Sequence, residues 1–273
     1  MDKPIFLFCP GVAKSSTTLL ANILFQNKAF NFGYFKECFY LNFVFYGEKN
    51  VPKTFEKFLP KYMEKKSKSK YLYADFDNFS KNHTIENYCK YYIDVYKQTQ
   101  FVGGVCDFSQ SYNLLPEKFL NEVKHELEKV FDVKCILLFR DPIKRLFSFS
   151  NMICPDDANN FFLDNMRTND IEFSSNYYQY VIEKFENIFP TKDIFISSME
   201  EMYLENSFEL LKIFLNLETL ETSKIIETSK NSATYKQKLS EEEISFAKKK
   251  LYGNYEYWKN KFGSLPSEWY QVI

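Results

Sequence analysis

The chain has 273 residues, a mass of 32.6 kDa and a formal net charge of −1, which is length enough for one substantial core. The near-neutral balance argues against a general nucleic-acid binder, which would carry a basic excess. No basic and apolar leader precedes the first strand-like run at Ile5, and no later apolar run is long enough to span a bilayer. A cytoplasmic protein without a transmembrane segment is therefore expected. The six cysteines are dispersed and form no C-x-x-C pair, so a reduced chain without a structural metal is expected.

Taken in order, Ile5 to Cys9 reads as a buried strand. Pro10-Gly11 ends it in a turn, and Leu20, Ile23 and Leu24 mark a helix that begins near Ser16. Phe30 to Phe45 is strand-like, with the polar pair Lys36-Glu37 inside it. Pro52 to Lys70 reads as a solvated helical insertion. Thr84 to Gln98 is a Tyr-rich helix and Phe101 to Cys106 a short strand, followed by the polar segment Asp107 to Tyr112. Pro116 to Phe131 is a helix opened by proline, and Val133 to Phe139 a buried strand. Asp141-Pro142 supply an N-cap and a first-turn proline. On the helix that follows, Ile143, Leu146, Phe147 and Ser150 form the inner face, with Lys144 and Ser148 on another. A loop over Pro155 to Asn169, a helix over Ser174 to Phe189, a strand over Asp193 to Ser197 and helices over Ser207 to Leu217 and Leu239 to Phe262 complete the chain. Alternating strands and helices predict a single α/β domain, with a parallel sheet covered on both faces.

The strand-turn-helix at the start places the backbone N–H groups of Ser15, Ser16, Thr17 and Thr18 at a helix N-terminus, a seat for phosphate. Lys14 and three hydroxyls add donors beside it. Against the nucleotide triphosphatase pattern G-x-x-x-x-G-K-[ST], Gly11 fits, but Ser16 stands in place of the second Gly and Thr17 in place of the Lys. A kinase or ATPase would lack the ammonium that reaches the β/γ-phosphates. Arginine occurs only at Arg140, Arg145 and Arg167 among 35 basic residues. Where so Lys-rich a chain keeps Arg, its planar fork is the feature Lys cannot replace. Three polar clusters fall at carboxyl ends of predicted strands, where open α/β sheets bind ligands: Lys14 to Thr18, Asp107 to Ser111, and Arg140 with Ser148.

This pattern resembles the PAPS-dependent sulfotransferases, especially the carbohydrate branch and its bacterial relatives. Lys14-Ser-Ser-Thr-Thr18 is similar to the family's K-x-G-T-T loop for the 5′-phosphosulfate. Arg140-Asp-Pro-Ile-Lys-Arg-Leu-Phe-Ser148 resembles its 3′-phosphate element. Lys36-Glu37-Cys-Phe-Tyr40 resembles the K-E-P-H-F-F stretch that carries a glutamate base, and Asp107-Phe-Ser-Gln-Ser-Tyr112 the segment E-K-T-P-x-Y or G-x-S-P-x-Y. Tyr177 to Leu217 and the tail Asn231-x-Ser-x-x-Tyr235…Leu239-Ser240 also resemble the family. The sequence departs from the family at Ser16 in place of the loop Gly, at Phe39 in place of the His and at Phe108 in place of a Lys. Ser16 fits if it keeps helical dihedrals.

The resemblance implies a P-loop NTPase-like fold over residues 1–273, with variable acceptor-side segments at 52–98 and 155–169. PAPS would be the sulfonate donor and PAP the product, with no metal. Glu37 would act as general base and Lys14 would stabilise the leaving phosphate. Ser15, Ser16, Thr17 and Thr18 would hold the 5′-phosphate, and Arg140 with Ser148 the 3′-phosphate. Lys36, Asp107 and Ser109 would face the acceptor, a hydroxyl-bearing small molecule or saccharide. His83, in a helix-capping context, ranks behind Glu37 as base, and Lys236 and Lys238 are assigned to solvent. An atypical kinase of the same fold and a non-catalytic nucleotide-binding module are the alternatives.

Overall fold

The computed structural model describes residues 3–33, 35–47, 82–98, 101–168, 170–202, 204–222 and 237–272. The helical insertion expected over Pro52 to Lys70, the tail motif from Asn231 to Tyr235, and Lys236 lie outside the described residues.

All seven residues of strand β1 (Ile5–Gly11) are buried. A strand that faces apolar layers on both sides sits centrally in a parallel sheet, and β1 does so. The sheet runs in the order β2 (Phe30–Asn31), β3 (Gly104–Asp107), β1, β4 (Asp132–Phe139), β5 (Ile194–Ser198), with every pairing parallel. Side chains alternate across it. Phe6 and Phe8, with Cys135, Leu137 and Phe139, enter one core with helices α3 (Ile85–Lys97), α4 (Glu117–Glu128) and α7 (Tyr177–Ile188). Ile5, Leu7 and Cys9, with Ile136 and Leu138, enter the other with α1 (Thr17–Gln26) and α9 (Glu205–Phe214). The α/β fold with helices on both faces is thus as the strand-helix alternation predicts.

Three expectations are corrected. The strand-like run Phe30 to Phe45 pairs only at Phe30–Asn31. The Asn31 side chain accepts the Gly33 N–H at 2.9 Å, which turns the chain out of the sheet. Gly33 lies at φ 64, and a Cβ there would overlap the Tyr91 hydroxyl. Helix α2 (Tyr40–Tyr46) then takes the rest of the run. The expected loop over 155–169 contains α6 (Ala158–Met166), whose Ala158, Phe162 and Met166 are buried at helical spacing. The helix after Asp141, α5 (Pro142–Ile153), buries Arg145 and Ser148 as well as its apolar residues, so its two-face reading gives way to a helix enclosed on nearly all sides.

Helix ends follow local chemistry. Asp141 accepts the Lys144 N–H at 2.8 Å ahead of Pro142. Helix α10 (Glu241–Phe262) starts from a reciprocal pair, Ser240 accepting from Glu243 N and Glu243 from Ser240 N. Between α7 and α10, Phe139, Tyr178, Trp258 and Trp269 pack ring on ring. The six cysteines are free. No helix among the described residues is long and apolar enough to cross a membrane.

Sheet closure can be tested at Gly104, which lies at φ 146 and presses against Ile5, so that a Cβ would overlap the Ile5 carbonyl oxygen. Gly104→Ala is expected to lower stability by about 2 kcal/mol or more, the scale of backbone overpacking. Denaturant unfolding measures it, and a loss below a few tenths would contradict the close β1–β3 approach.

Candidate active site at the carboxyl ends of β1 and β4

From β1 the chain leaves toward β2 and β3; from β4 it leaves toward β5. Adjacent loops that depart in opposite directions open a crevice beyond the strand ends, the ligand position in open α/β sheets. The loop after β1 carries Lys14 to Ser16, and β4 ends at Arg140. The two meet directly: the Arg140 guanidinium donates to the Lys14 carbonyl at 3.4 Å, and Val12 N to Leu138 O at 2.9 Å.

Helix α1 starts at Thr17, one residue later than expected. Ser16 is its N-cap at φ 60, ψ 21, and Lys14 lies at φ 68. Ser16 does not keep helical dihedrals, so the condition attached to it is not met. It takes the left-handed conformation that glycine adopts most readily, at a cost of about 1–2 kcal/mol for a residue with a Cβ. Ser15 is fully buried, and its Oγ has no hydrogen-bond partner among the described residues; the same is true of Arg140 Nε. Both orphans can donate, and both lie where the first N–H groups of α1 also point outward without intrahelical acceptors. Unmet donors in a crevice suit an anion.

Lys36 reaches this seat. Its ammonium lies 3.3 Å from Thr17 Oγ1, 3.1 Å from Thr18 Oγ1 and 2.6 Å from Glu37 Oε1. The loop carrying Lys36 and Glu37 therefore folds over the start of α1, with the Lys36 ammonium on the Thr17 and Thr18 hydroxyls.

Asp107 and Ser109 are fully buried. The Asp107 carboxylate accepts from Tyr88 Oη at 2.8 Å, Tyr112 Oη at 3.1 Å, Ser109 N at 3.0 Å and Ser109 Oγ at 2.5 Å. Enclosed in this way, the two residues hold neighbouring chain and do not reach an acceptor, so their expected acceptor contact is corrected to an internal one. Ser109 Oγ accepts the Phe39 N–H at 2.9 Å, and Tyr112 Oη the Leu41 N–H at 3.2 Å. Burial pushes the Asp107 carboxyl above its ordinary range, and the hydrogen bonds of Ser109, Tyr88, Tyr112 and the Cys38 amide oppose that shift.

Sequence reading named Arg145 only as one of three arginines and Gln110 only within the Asp107 to Ser111 cluster, gave neither a role, and missed Asn113. The amide of Gln110 donates to Thr17 Oγ1. Asn113 Nδ2 donates to Pro10 O at 3.0 Å and to Gln110 O at 2.6 Å. Gly11 is required here, since a Cβ on it would stand 2.5 Å from Asn113 Nδ2. Arg145 is 1% exposed, donates to Glu172 O at 2.6 Å and stacks 4.7 Å from the Tyr177 ring. The Tyr177 hydroxyl lies 3.2 Å from both Asn113 Oδ1 and Glu172 Oε1, which ties α5 to the loop after β1. The rarity of Arg was the available signal for Arg145; isolated amides offered none.

Lys14 Nζ lies 3.9 Å from Met152 Sδ on α5. Ser148 is 4% exposed on the same helix. His83 stacks on Phe43 at 5.0 Å and lies tilted against Tyr40 at 5.0 Å, between α2 and the start of α3. Lys238, expected in solvent, is exposed; its carbonyl accepts from Asn159 Nδ2 at 3.0 Å.

Three solved structures similar to this chain are sulfotransferases. One from Alicyclobacillus acidocaldarius superposes with a TM-score of 0.57 at 12% identity, over 98% of this chain and 99% of its own. A sulfotransferase domain of the Synechococcus PCC 7002 olefin synthase aligns over 91% of this chain and 95% of its own, at 13% identity and TM-score 0.47. One from the curacin biosynthetic pathway covers 85% and 79%, at 15% and 0.45. No protein-family model matches the sequence, and no curated protein does. The first superposition spans both chains almost end to end, and at its identity what it shows is the fold: a P-loop NTPase-like α/β domain shared with a bacterial sulfotransferase.

One buried cation behind the site makes a pH test. Lys184 Nζ donates to the carbonyls of Asn113 and Leu115 and lies 4.4 Å over the Tyr180 ring. Burial pulls its pKa down to about 8. Between about 8 and the ordinary lysine value the unfolded chain holds a proton that the folded chain has released, so this group makes stability rise with pH across that window. Below pH 8 both states are protonated and the slope vanishes. Melting temperatures at pH 8 and pH 10 are expected to show this component in the wild type and not in Lys184→Met. Equal slopes in the two proteins would contradict the burial.

Proposed function

We propose that the protein is a PAPS-dependent sulfotransferase that moves a sulfonate group from PAPS to an acceptor hydroxyl, first among candidates a hydroxyl on a carbohydrate. The observation that carries this reading is the Lys36 ammonium, in reach of the Thr17 and Thr18 hydroxyls and of the Glu37 carboxylate at once. A transfer from a phosphate-linked donor to an alcohol needs a base and an anion seat a few ångströms apart, and one ammonium touches both groups here.

In this reading Ser15, Ser16, Thr17 and Thr18 seat the 5′-phosphate, and Arg140 with Ser148 the 3′-phosphate. The donor set fits, because the buried Ser15 Oγ and Arg140 Nε are both hydrogen-bond donors in want of an acceptor. A charged hydrogen bond to each phosphate is worth about 1.5–3 kcal/mol. Glu37 takes the proton of the acceptor hydroxyl as its oxygen attacks sulfur. The bond from sulfur to the 5′-phosphate oxygen breaks, and Lys14 and Lys36 stabilise the charge left on that phosphate. A sulfonate carries less negative charge than a phosphoryl group, so side-chain cations suffice for the clamp. The fold of the Alicyclobacillus sulfotransferase supports the reading at the level of architecture.

Melting curves with PAP, ADP and Mg-ADP test the donor. A ligand confined to the folded state adds about 2.7 kcal/mol at 100 times its Kd. Stabilisation by PAP well above ADP, indifferent to magnesium, is the expected result. Stabilisation by Mg-ADP alone would replace the reading with a kinase, and no shift with any of the three with a non-catalytic module. Glu37→Gln should abolish labelled sulfonate transfer to a saccharide library while PAP affinity stays at the wild-type value. Undiminished transfer would remove Glu37 as base and promote His83.

A further inference from the structure

The 3-10 turn Gln110–Leu114 belongs to neither the phosphate seat nor the base loop, yet it touches both. A 3-10 helix has three residues per turn, so side chains at i and i+3 eclipse. Ser109, the N-cap, and Tyr112 therefore share one face, and Gln110 and Asn113 the next. The first face meets the base loop. Ser109 Oγ and Tyr112 Oη each accept one backbone N–H, from Phe39 and Leu41, and each donates to the buried Asp107 carboxylate. Phe108 N closes the set on the Lys36 carbonyl at 3.0 Å. The second face meets the phosphate seat, through Gln110 on Thr17 Oγ1 and Asn113 on Pro10 O. Ser111, between them, donates to Asn42 Oδ1 on α2 at 2.8 Å.

Glu37 lies in a stretch with no regular secondary structure, between β2 and α2. Along the chain it is linked to Thr17 only through all of α1 and β2. Reacting groups must be held to a fraction of an ångström, and a misplacement of about 1 Å costs on the order of 100-fold in rate. A rigid element bonded to both groups shortens that chain of uncertainty.

We infer that the turn from Ser109 to Asn113 is an alignment bracket that sets the spacing between donor phosphate and base. Ser109 and Tyr112 are positioning residues for Glu37, and Gln110 and Asn113 for the 5′-phosphate seat. This rests on the sulfotransferase reading, and it makes a claim that reading does not: the two faces act on different quantities. Disturbing the Gln110 face moves donor affinity, and disturbing the Ser109–Tyr112 face moves the rate once the donor is bound.

The test needs no knowledge of the acceptor, because water can stand in for it. Water oxygen bonds to sulfur, the bond to the 5′-phosphate oxygen breaks, and the water proton passes to Glu37, leaving PAP and sulfate. PAP affinity is measured by calorimetry and PAPS cleavage at saturating PAPS by PAP release. Gln110→Leu is expected to weaken PAP about five- to tenfold and leave the saturated cleavage rate within about twofold, as for loss of one neutral hydrogen bond to the seat. Ser109→Ala and Tyr112→Phe should leave PAP affinity within about twofold and slow cleavage about tenfold or more. Amide exchange at Phe39 and Leu41, read in the same proteins, should accelerate in Ser109→Ala and Tyr112→Phe and match the wild type in Gln110→Leu. Variants of both faces that change affinity, rate and exchange together, or not at all, would overturn the bracket. A wild type that binds no PAP would instead overturn the reading of the seat.

Discussion

The site depends on a buried carboxylate. Asp107 ends β3 with no exposed surface, and removing a carboxylate from water costs several kcal/mol even after relaxation. The fold meets that cost with donors from three places: Tyr88 on α3, Ser109 and Tyr112 on the adjoining turn, and the Cys38 amide on the base loop. Two of those hydroxyls then accept a backbone N–H from the base loop. The loop is therefore ordered because the carboxylate must be satisfied, and the carboxylate is tolerable because the loop is in place. A partly satisfied version of this network would be worse than an apolar core, which makes it all-or-none and gives the loop one conformation.

The same economy of connection holds across the crevice. The strand order places the ends of β1 and β4 side by side with their continuations diverging, and that alone brings Lys14 and Arg140 together. Arg145 extends the tie below the surface, through Glu172 and Tyr177 to Asn113 and from there to Pro10. Helix α5, which carries Ser148, and the end of β1, which leads into the loop that carries Ser15, are thus braced by one set of polar contacts. The two anion seats proposed here, on opposite sides of a switch point, would otherwise move independently with their own loops.

What was legible in the sequence was local chemistry with a period. The buried strands β1 and β4 and the Asp141-Pro142 helix start could be read because each is fixed by residues close together in the chain. The lysine, hydroxyl and glutamate clusters could be located for the same reason. Their directions could not. Whether Lys36 reaches the Thr17 and Thr18 hydroxyls depends on how the chain turns at Asn31 and Gly33, and that turn depends on Tyr91, more than fifty positions along the chain. Asp107 looked like a site residue because it is polar at a strand end; only the three-dimensional arrangement shows Tyr88, Tyr112 and Ser109 already using its oxygens. Helix α6 was hidden for a simpler reason, since three buried residues among polar ones make a weak stripe.

The Lys36–Glu37 pair is partly exposed, at 24% and 30%. Pairs of that kind contribute about 0–1 kcal/mol to stability, so stability does not account for a lysine in this place. Position does. An ammonium held by two hydroxyls at the start of α1 adds its charge to the positive end of the helix, where charge acts on an anion most strongly. Its contact with Glu37 brings a carboxylate to the same place, with the cation between that carboxylate and the start of the helix. In the proposed transfer a base and a leaving phosphate would repel; an interposed lysine would let them approach while leaving the base close enough to act.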